Sequence, residues 1–334
     1  MAFLFRALFQ GLFQRQDPTV ASDDTARKRL AETRRTLAII GCGRIGGSLL
    51  DGLLPALEEA DDRDCPRITR IIATTRLIEK ADKILRRHAE HDERLRVYGS
   101  SQNLHAISES GTIILACRPT ELGRIFAERG ICEALSGKLV INLLQTARNT
   151  RVLSEIKGCL DSQGLGHLPL PTLIHAIPNL AVNMRLGVTI IEDSFIGVQD
   201  QHIDLAFWLF EQVGQVYALP DGAFRAAAMM MTAGMAVIAT ALDGMYDYGI
   251  SENMDRTQLD HLARLMLDGL ARNVHFGVQL ENMRSFCSSG RAGPATKALD
   301  LIDEDGVRYT IRGAMAAGGG CMEADPEAEW VINW

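Results

Sequence analysis

Ten residues, Leu37 to Gly46, carry Gly41, Gly43 and Gly46 directly behind four apolar positions. That order suits the diphosphate of a dinucleotide. Gly41 permits a tight turn after a short buried strand, Gly43 lets backbone approach phosphate oxygens, and Gly46 lets the next helix pack closely. A helix expected over Arg44–Glu58 then points its first N–H groups at the phosphates, where its dipole favours negative charge. A structural glycine turn would use the same residues. Agreement of strand, spacing and helix favours the nucleotide site.

A second group sets the nucleotide type. Chains that bind the unphosphorylated ribose usually end their second strand on Asp or Glu. Here the segment Arg70-Ile71-Ile72-Ala73 ends in Thr74-Thr75-Arg76. Hydroxyls and a guanidinium can hold a 2′-phosphate that a carboxylate would repel, so NADP(H) is the expected cofactor. The acids Asp61, Asp62 and Asp64 precede that strand, where they cannot reach the ribose. Arg76 could equally be solvated at a helix start. Arg118, after Leu115-Ala116-Cys117, closes another strand at the end where ligands bind in such sheets, or is a surface arginine. Late in the chain Pro294 suits the first position of a helix, leaving the Ala295 and Thr296 amides at an end that favours a carboxylate. A simple helix start is the competing reading. No His–Asp or Cys–His set stands out. The eight histidines show no metal-ligand spacing, so no metal is expected.

The elements that must position these groups alternate. Strands are expected at Leu37–Ile40, Ile68–Thr75, Leu95–Tyr98, Thr112–Cys117, Lys138–Leu144, Thr172–Ile177, Gly187–Ile191 and Gln215–Leu219. Helices fall between most of them, including Ile78–Glu90 and Asp204–Val213. Such alternation implies a parallel sheet covered on both faces. After Pro220 helical periodicity replaces it, over Ala223–Gly249, Arg256–Leu280 and Ala295–Ile302. The fold class expected is α/β, a Rossmann-type doubly wound, mostly parallel sheet followed by an all-helical domain. The divisions are residues 1–36 (helix and linker), 37–220, 221–325 and a tail at 326–334. Met229, Met230, Met231 and Met235 lie among alanines on one long helix. That pattern reads first as core packing and, by extension, as a dimer of interleaved helices.

With 334 residues, 47% hydrophobic and 23% charged, the chain has the composition of a globular protein with two cores. A net charge of −7 argues against a nucleic-acid surface. Seven cysteines without a C-x-x-C pair read as reduced thiols. No stretch reads as long and apolar enough to cross a membrane. The acid-free opening segment, with Arg6, Gln10 and Gln14 on one stripe, fits a docking helix, a surface anchor or an organelle presequence. Cytoplasmic residence is expected, with mitochondrial import as the alternative.

Taken in order, the glycine turn, Thr74-Thr75-Arg76, Ala116-Cys117-Arg118-Pro119, Ile177-Pro178-Asn179 with Gly187-Val188-Thr189, and the loop from Ser288-Ser289-Gly290 to Thr296 resemble the pyrroline-5-carboxylate reductases, from about Leu37 to Glu323. The resemblance implies an NADPH-preferring reductase of a cyclic imino acid, forming proline by hydride transfer to a C=N bond. It also implies a Rossmann domain followed by a helical dimerisation domain. Cofactor contacts would fall on Gly41, Cys42, Gly43, Arg44, Ile45, Thr75, Asn103, Cys117 and Arg118, with Leu144 and Asn179 beside them. From the residues alone, Asn103 could instead cap a helix. Substrate contacts would fall on Ser289, Ala295 and Thr296. Thr296 would act at the acceptor and Asp221 would steady iminium charge, unless Asp221 is simply a surface acid beside Pro220. Arg291 adds a carboxylate contact or is solvated. The family's Ser-Gly-Ser-Gly-Pro-Ala-Tyr run stands here as Met231-Thr232-Ala233-Gly234-Met235-Ala236-Val237. That departure leaves open a reductase of another cyclic imine, or a catalytically silent NADP-binding dimer.

Overall fold

The computed structural model describes residues 31–60, 68–288 and 293–322. The expected N-terminal helix, most of the linker, Ser289, Arg291 and the C-terminal tail lie outside these. The chain forms two compact units, Met1–Leu219 and Pro220–Trp334.

The first unit is built on eight strands: β1 Thr36–Ile40, β2 Arg70–Thr75, β3 Leu95–Gly99, β4 Thr112–Leu115, β5 Leu139–Asn142, β6 Thr172–Pro178, β7 Gly187–Glu192 and β8 Gly214–Leu219. Their order is β3-β2-β1-β4-β5-β6-β7-β8. All neighbours run parallel except β6 and β7, which form an antiparallel hairpin. β1 is buried along its whole length. Leu37 and Ile39 enter one apolar cluster while Ala38 and Ile40 enter the other, the two-residue alternation of a strand covered on both sides. Helices α1 Arg44–Ala60 and α2 Ile78–Arg87 contribute to the first cluster. Helices α3 Asn103–Ser108, α4 Leu122–Phe126, α5 Ile131–Leu135 and α6 Asn149–Ser162 supply the second, and α7 Asp200–Glu211 returns to the first. Because β2 and β4 flank β1 on opposite sides, strand order reverses between β1 and β4. The carboxyl ends of those two strands open a crevice there.

Two local features differ from expectation. The helix expected to run to Glu90 stops at Arg87, and a short 3-10 turn over Ala89–His91 follows. Asn103 is the first residue of α3 rather than its cap: Gln102 holds the cap position and no side chain caps the turn.

The second unit contains α8 Asp221–Ser251, α9 Arg256–His275, α10 Leu280–Cys287, α11 Pro294–Glu304 and α12 Val307–Cys321. The single helix expected over Arg256–Leu280 breaks at Gly277. That residue adopts φ 78°, while Gly277 N–H donates to the Val274 carbonyl and Val278 N–H to Asn273. This is the Schellman termination that a left-handed glycine permits. A cleaner start marks α9, where Asp255 and Gln258 form a reciprocal capping box.

α8 departs furthest from expectation. Only Phe224, Ala228 and Gly249 along its 31 residues are buried, so the alanine–methionine run is not core of this chain. Met230 is 64% exposed and Tyr248 69%. By length and hydropathy α8 is also long and apolar enough to cross a membrane, which overturns the expectation that no stretch is.

Gly52 on α1 tests the packing of the first unit. A Cβ there would run into the Val182 carbonyl and press on Val213 at 3.0 Å. Gly52→Ala should destabilise by about 1–3 kcal/mol, whereas Gly158→Ala, facing open space within α6, should stabilise by roughly 0.5–1 kcal/mol. Thermal unfolding of both variants checks the pair.

Candidate active site

The reversal crevice is floored by the glycine turn. Gly41 takes φ 93°, and its N–H and that of Cys42 both donate to the Thr74 carbonyl, at 3.2 and 2.6 Å. A Cβ on Gly41 would sit 2.6 Å from Cα and 2.7 Å from N of Cys117, so the turn lies directly against the end of β4. Gly46 serves packing, since a Cβ there would meet the Gly41 carbonyl at 2.9 Å and Ala116 at 3.3 Å. Gly43 differs: its would-be Cβ finds only the Gly41 oxygen, at 3.9 Å, and it is exposed. The turn therefore leaves room above Gly43. Amides of Arg44, Ile45 and Gly46 open α1 without an acceptor among the described residues. Backbone donors next to an open glycine form a site for phosphate.

Gly41, Cys42, Gly43, Thr75, Arg76, Asn103, Cys117 and Arg118 all line this one crevice. Arg44, Ile45 and Gly46 stand just behind, at the start of α1, with Ile45 packed on the apolar core and Gly46 buried. Thr75 is buried at the tip of β2, while Arg76 is exposed and has no carboxylate within salt-bridge distance among the described residues. Asn103, only 3% exposed, presents an Oδ1 with no hydrogen-bond partner among the described residues. An orphaned buried acceptor facing a crevice needs a donor, and a bound nucleotide can supply one. Room over Gly43, first-turn amides and this acceptor together fit a dinucleotide.

Charge agrees. Arg76, Lys80, Arg118 and Arg124 line the crevice against one carboxylate, Glu121, which Arg124 already holds at 2.7 Å. The crevice is locally basic on a chain of net charge −7, which suits a polyanionic ligand. Sequence reasoning missed Lys80 and Ser100. Lys80, four positions after Arg76, gave no signal beyond that of a charged residue early in a helix.

Two other candidates serve the framework. Asn179 is outside the crevice lining: its Oδ1 accepts from Val188 N–H at 3.1 Å and its own N–H donates to the Val188 carbonyl, locking the β6–β7 hairpin. Leu144 is buried in the loop after β5. The Leu144 carbonyl accepts from His175 Nε2 at 3.1 Å, and its N–H donates to Asn142 Oδ1 at 3.0 Å.

The remaining candidates belong to the second unit. Asp221 is the first residue of α8, where its charge suits the helix dipole, and it pairs with Arg225 at 3.5 Å. Gly293 caps α11 without a side chain, Pro294 follows it, and Ala295 and Thr296 occupy the first turn. The Thr296 hydroxyl donates to the Ser288 carbonyl at 3.4 Å.

Two family profiles divide the chain. That described as pyrroline-5-carboxylate reductase dimerisation matches residues 221–319, and that described as NADP oxidoreductase, coenzyme F420-dependent, matches 36–146. Pyrroline-5-carboxylate reductases of Lophium arboricola and Neurospora crassa are 26% and 27% identical to it, each alignment covering 84% of this chain and 90% of the relative. Over these spans the chain is similar to the pyrroline-5-carboxylate reductases. In fold it matches the Plasmodium falciparum pyrroline carboxylate reductase crystallised with NADP, with a TM-score of 0.68 at 15% identity over 87% of this chain and 97% of that one. The crevice thus lies within the span that the oxidoreductase profile matches.

Both crevice cysteines are held as thiols. Burial pushes Cys42 up to about 12, with Asp51 adding to the effect, and burial likewise pushes Cys117 up to about 12. Neither is a nucleophile at neutral pH. Both protons are kept by the folded state after an unfolded chain, at 9.0, has begun to lose its own. Their contribution to stability is therefore complete below pH 9 and is lost as pH rises from 9 towards 12. Iodoacetamide at pH 8 should leave both unlabelled in the native protein and alkylate both after denaturation, as read by peptide mass mapping.

Proposed function

We propose that this chain reduces pyrroline-5-carboxylate to proline with NADPH. The observation that carries the reading is the crevice itself. A glycine turn with room over Gly43 is joined to a β2 end of Thr75 and Arg76, where a carboxylate would stand to hold an unphosphorylated ribose. The named activity of the relatives supports the same assignment. Bound in the crevice, the reduced nicotinamide supplies a hydride for the carbon of a C=N bond.

The residues then orient and neutralise. First-turn amides of α1 hold the diphosphate, Thr75 and Arg76 hold the 2′-phosphate, and Asn103 takes a hydrogen bond from the adenosine side. Arg118 supplies further positive charge at the end of β4. The amide of Ala295 and the hydroxyl of Thr296, turned from the Ser288 carbonyl to the ligand, grip the substrate carboxylate at the start of α11. Ser289, outside the described residues, belongs to the same loop. Asp221 favours the protonated, iminium form of the substrate by its charge. A protonated imine is already electrophilic, so orientation does most of the work and no nucleophile is required.

The second unit is completed by a second copy of the chain. Phe224, Ala228, Leu259 and Met322 are its buried apolar side chains among the described residues, too few to sustain five helices. A homodimer covering the exposed face of α8 resolves this, and it explains a helix apolar enough for a membrane without invoking one. The six described cysteines are free, which supports a reducing compartment and hence the cytoplasm. Mitochondrial import gains no support from the fold or the relatives.

The purified protein should oxidise NADPH on addition of pyrroline-5-carboxylate and elute as a dimer in light scattering. Thr296→Ala should raise KM for the imine about tenfold while leaving NADPH affinity unchanged. No turnover across pyrroline-5-carboxylate and its six-membered homologue would defeat the reading, as would a monomer at working concentration for the assembly.

A further inference from the structure

The geometry points to Lys80 as the second cation of the 2′-phosphate subsite, so that preference for the phosphorylated cofactor is shared between Arg76 and Lys80. This rests on the NADPH reading above and extends it to a residue for which that reading gives no role. Arg76 leaves the end of β2 and Lys80 lies four positions on, in the first turn of α2. Both residues line the crevice. Glu79 is not among the lining residues.

Availability distinguishes Lys80 from Arg124 and Arg87. Arg124 is tied to Glu121 at 2.7 Å and Arg87 to Asp51 at 2.8 Å. Neither Arg76 nor Lys80 has an ion-pair partner among the described residues, and both are exposed. Two free cations beside the Thr75 hydroxyl face a group carrying nearly two negative charges at neutral pH. Arginine supplies a planar fork for two phosphate oxygens, while lysine adds a compact charge that needs no set angle. A ribose with a free 2′-hydroxyl gives Lys80 nothing to neutralise. The lysine therefore contributes to discrimination rather than to nucleotide binding in general.

Titration of NADPH and NADH into the full chain, followed by nicotinamide fluorescence without substrate, tests this. Lys80→Met should weaken NADPH about fivefold and leave NADH unchanged. Lys80→Arg should restore most of the loss, and Lys80→Glu should deepen it for NADPH alone. Salt should weaken NADPH binding to Lys80→Met less steeply than to the native chain. Unchanged NADH affinity shows that the variant is folded. Equal losses for both nucleotides, or undiminished NADPH affinity in Lys80→Met, would overturn the assignment while the reductase reading stands. Failure of the native chain to bind either nucleotide would overturn both.

Discussion

The contact between Gly41 and the backbone of Cys117 is the constraint on which the crevice depends. β1 and β4 are neighbours in register, Ile40 opposite Leu115, and the chain must leave β1 without striking the end of β4. A Cβ on Gly41 would lie 2.6 Å from Cys117 Cα, which leaves no space for a side chain, and the turn needs φ 93°. On its other side the turn is bound to the Thr74 carbonyl of β2 through two N–H groups. Held between two strands, the backbone has one exit. α1 starts where the strand order reverses, with its free amides over the crevice.

That arrangement explains why chemistry and packing are divided among neighbouring residues. Gly46 and Ile45 face inward and fix the tilt of α1, whereas Gly43 faces out and leaves space. At the tip of β2 Thr74 gives its carbonyl to the turn, so Thr75 and Arg76 can address the ligand. Asn103 carries the same logic one strand further, as a buried acceptor left unsatisfied by the protein at the mouth of a site. Such a group costs stability unless a ligand completes it, which places it among features kept for binding.

All eight strands were legible in sequence because a parallel sheet covered on both faces needs continuous apolar runs bounded by turns, and β1, β4 and β5 are buried at every position. The hairpin of β6 and β7 was less so, since its direction follows from the tight approach of Gly187 to Val182 and from Arg185 in a left-handed conformation. Gly277 was a readable stop signal that a periodic count passes over. The exposure of α8 was not readable. Alanine and methionine at helical spacing look alike whether their partner is the same chain or another one. Lys80 was hidden for a related reason: charged residues early in a helix are usually solvated, and only the crevice wall distinguishes this one.

The two units bear substitution differently because they recognise different things. In the proposed cofactor site, phosphates are met by backbone amides, which any residue supplies, and by a few cations at the edge of β2 and α2. A sequence can therefore drift far, to about a quarter identity with its relatives, while the glycines keep the crevice open. The substrate side is more exposed to change, since a small imino acid offers one carboxylate and one ring, and each contact is a larger share of its recognition. Replacement of a small, hydroxyl-bearing run by Met231–Val237 alters bulk where α8 passes. Under the proposed function, a reductase that relies on orientation rather than acid–base chemistry would survive such a change so long as the carboxylate stays anchored at the start of α11. Catalytic competence would then depend on that anchor more than on any single titratable side chain.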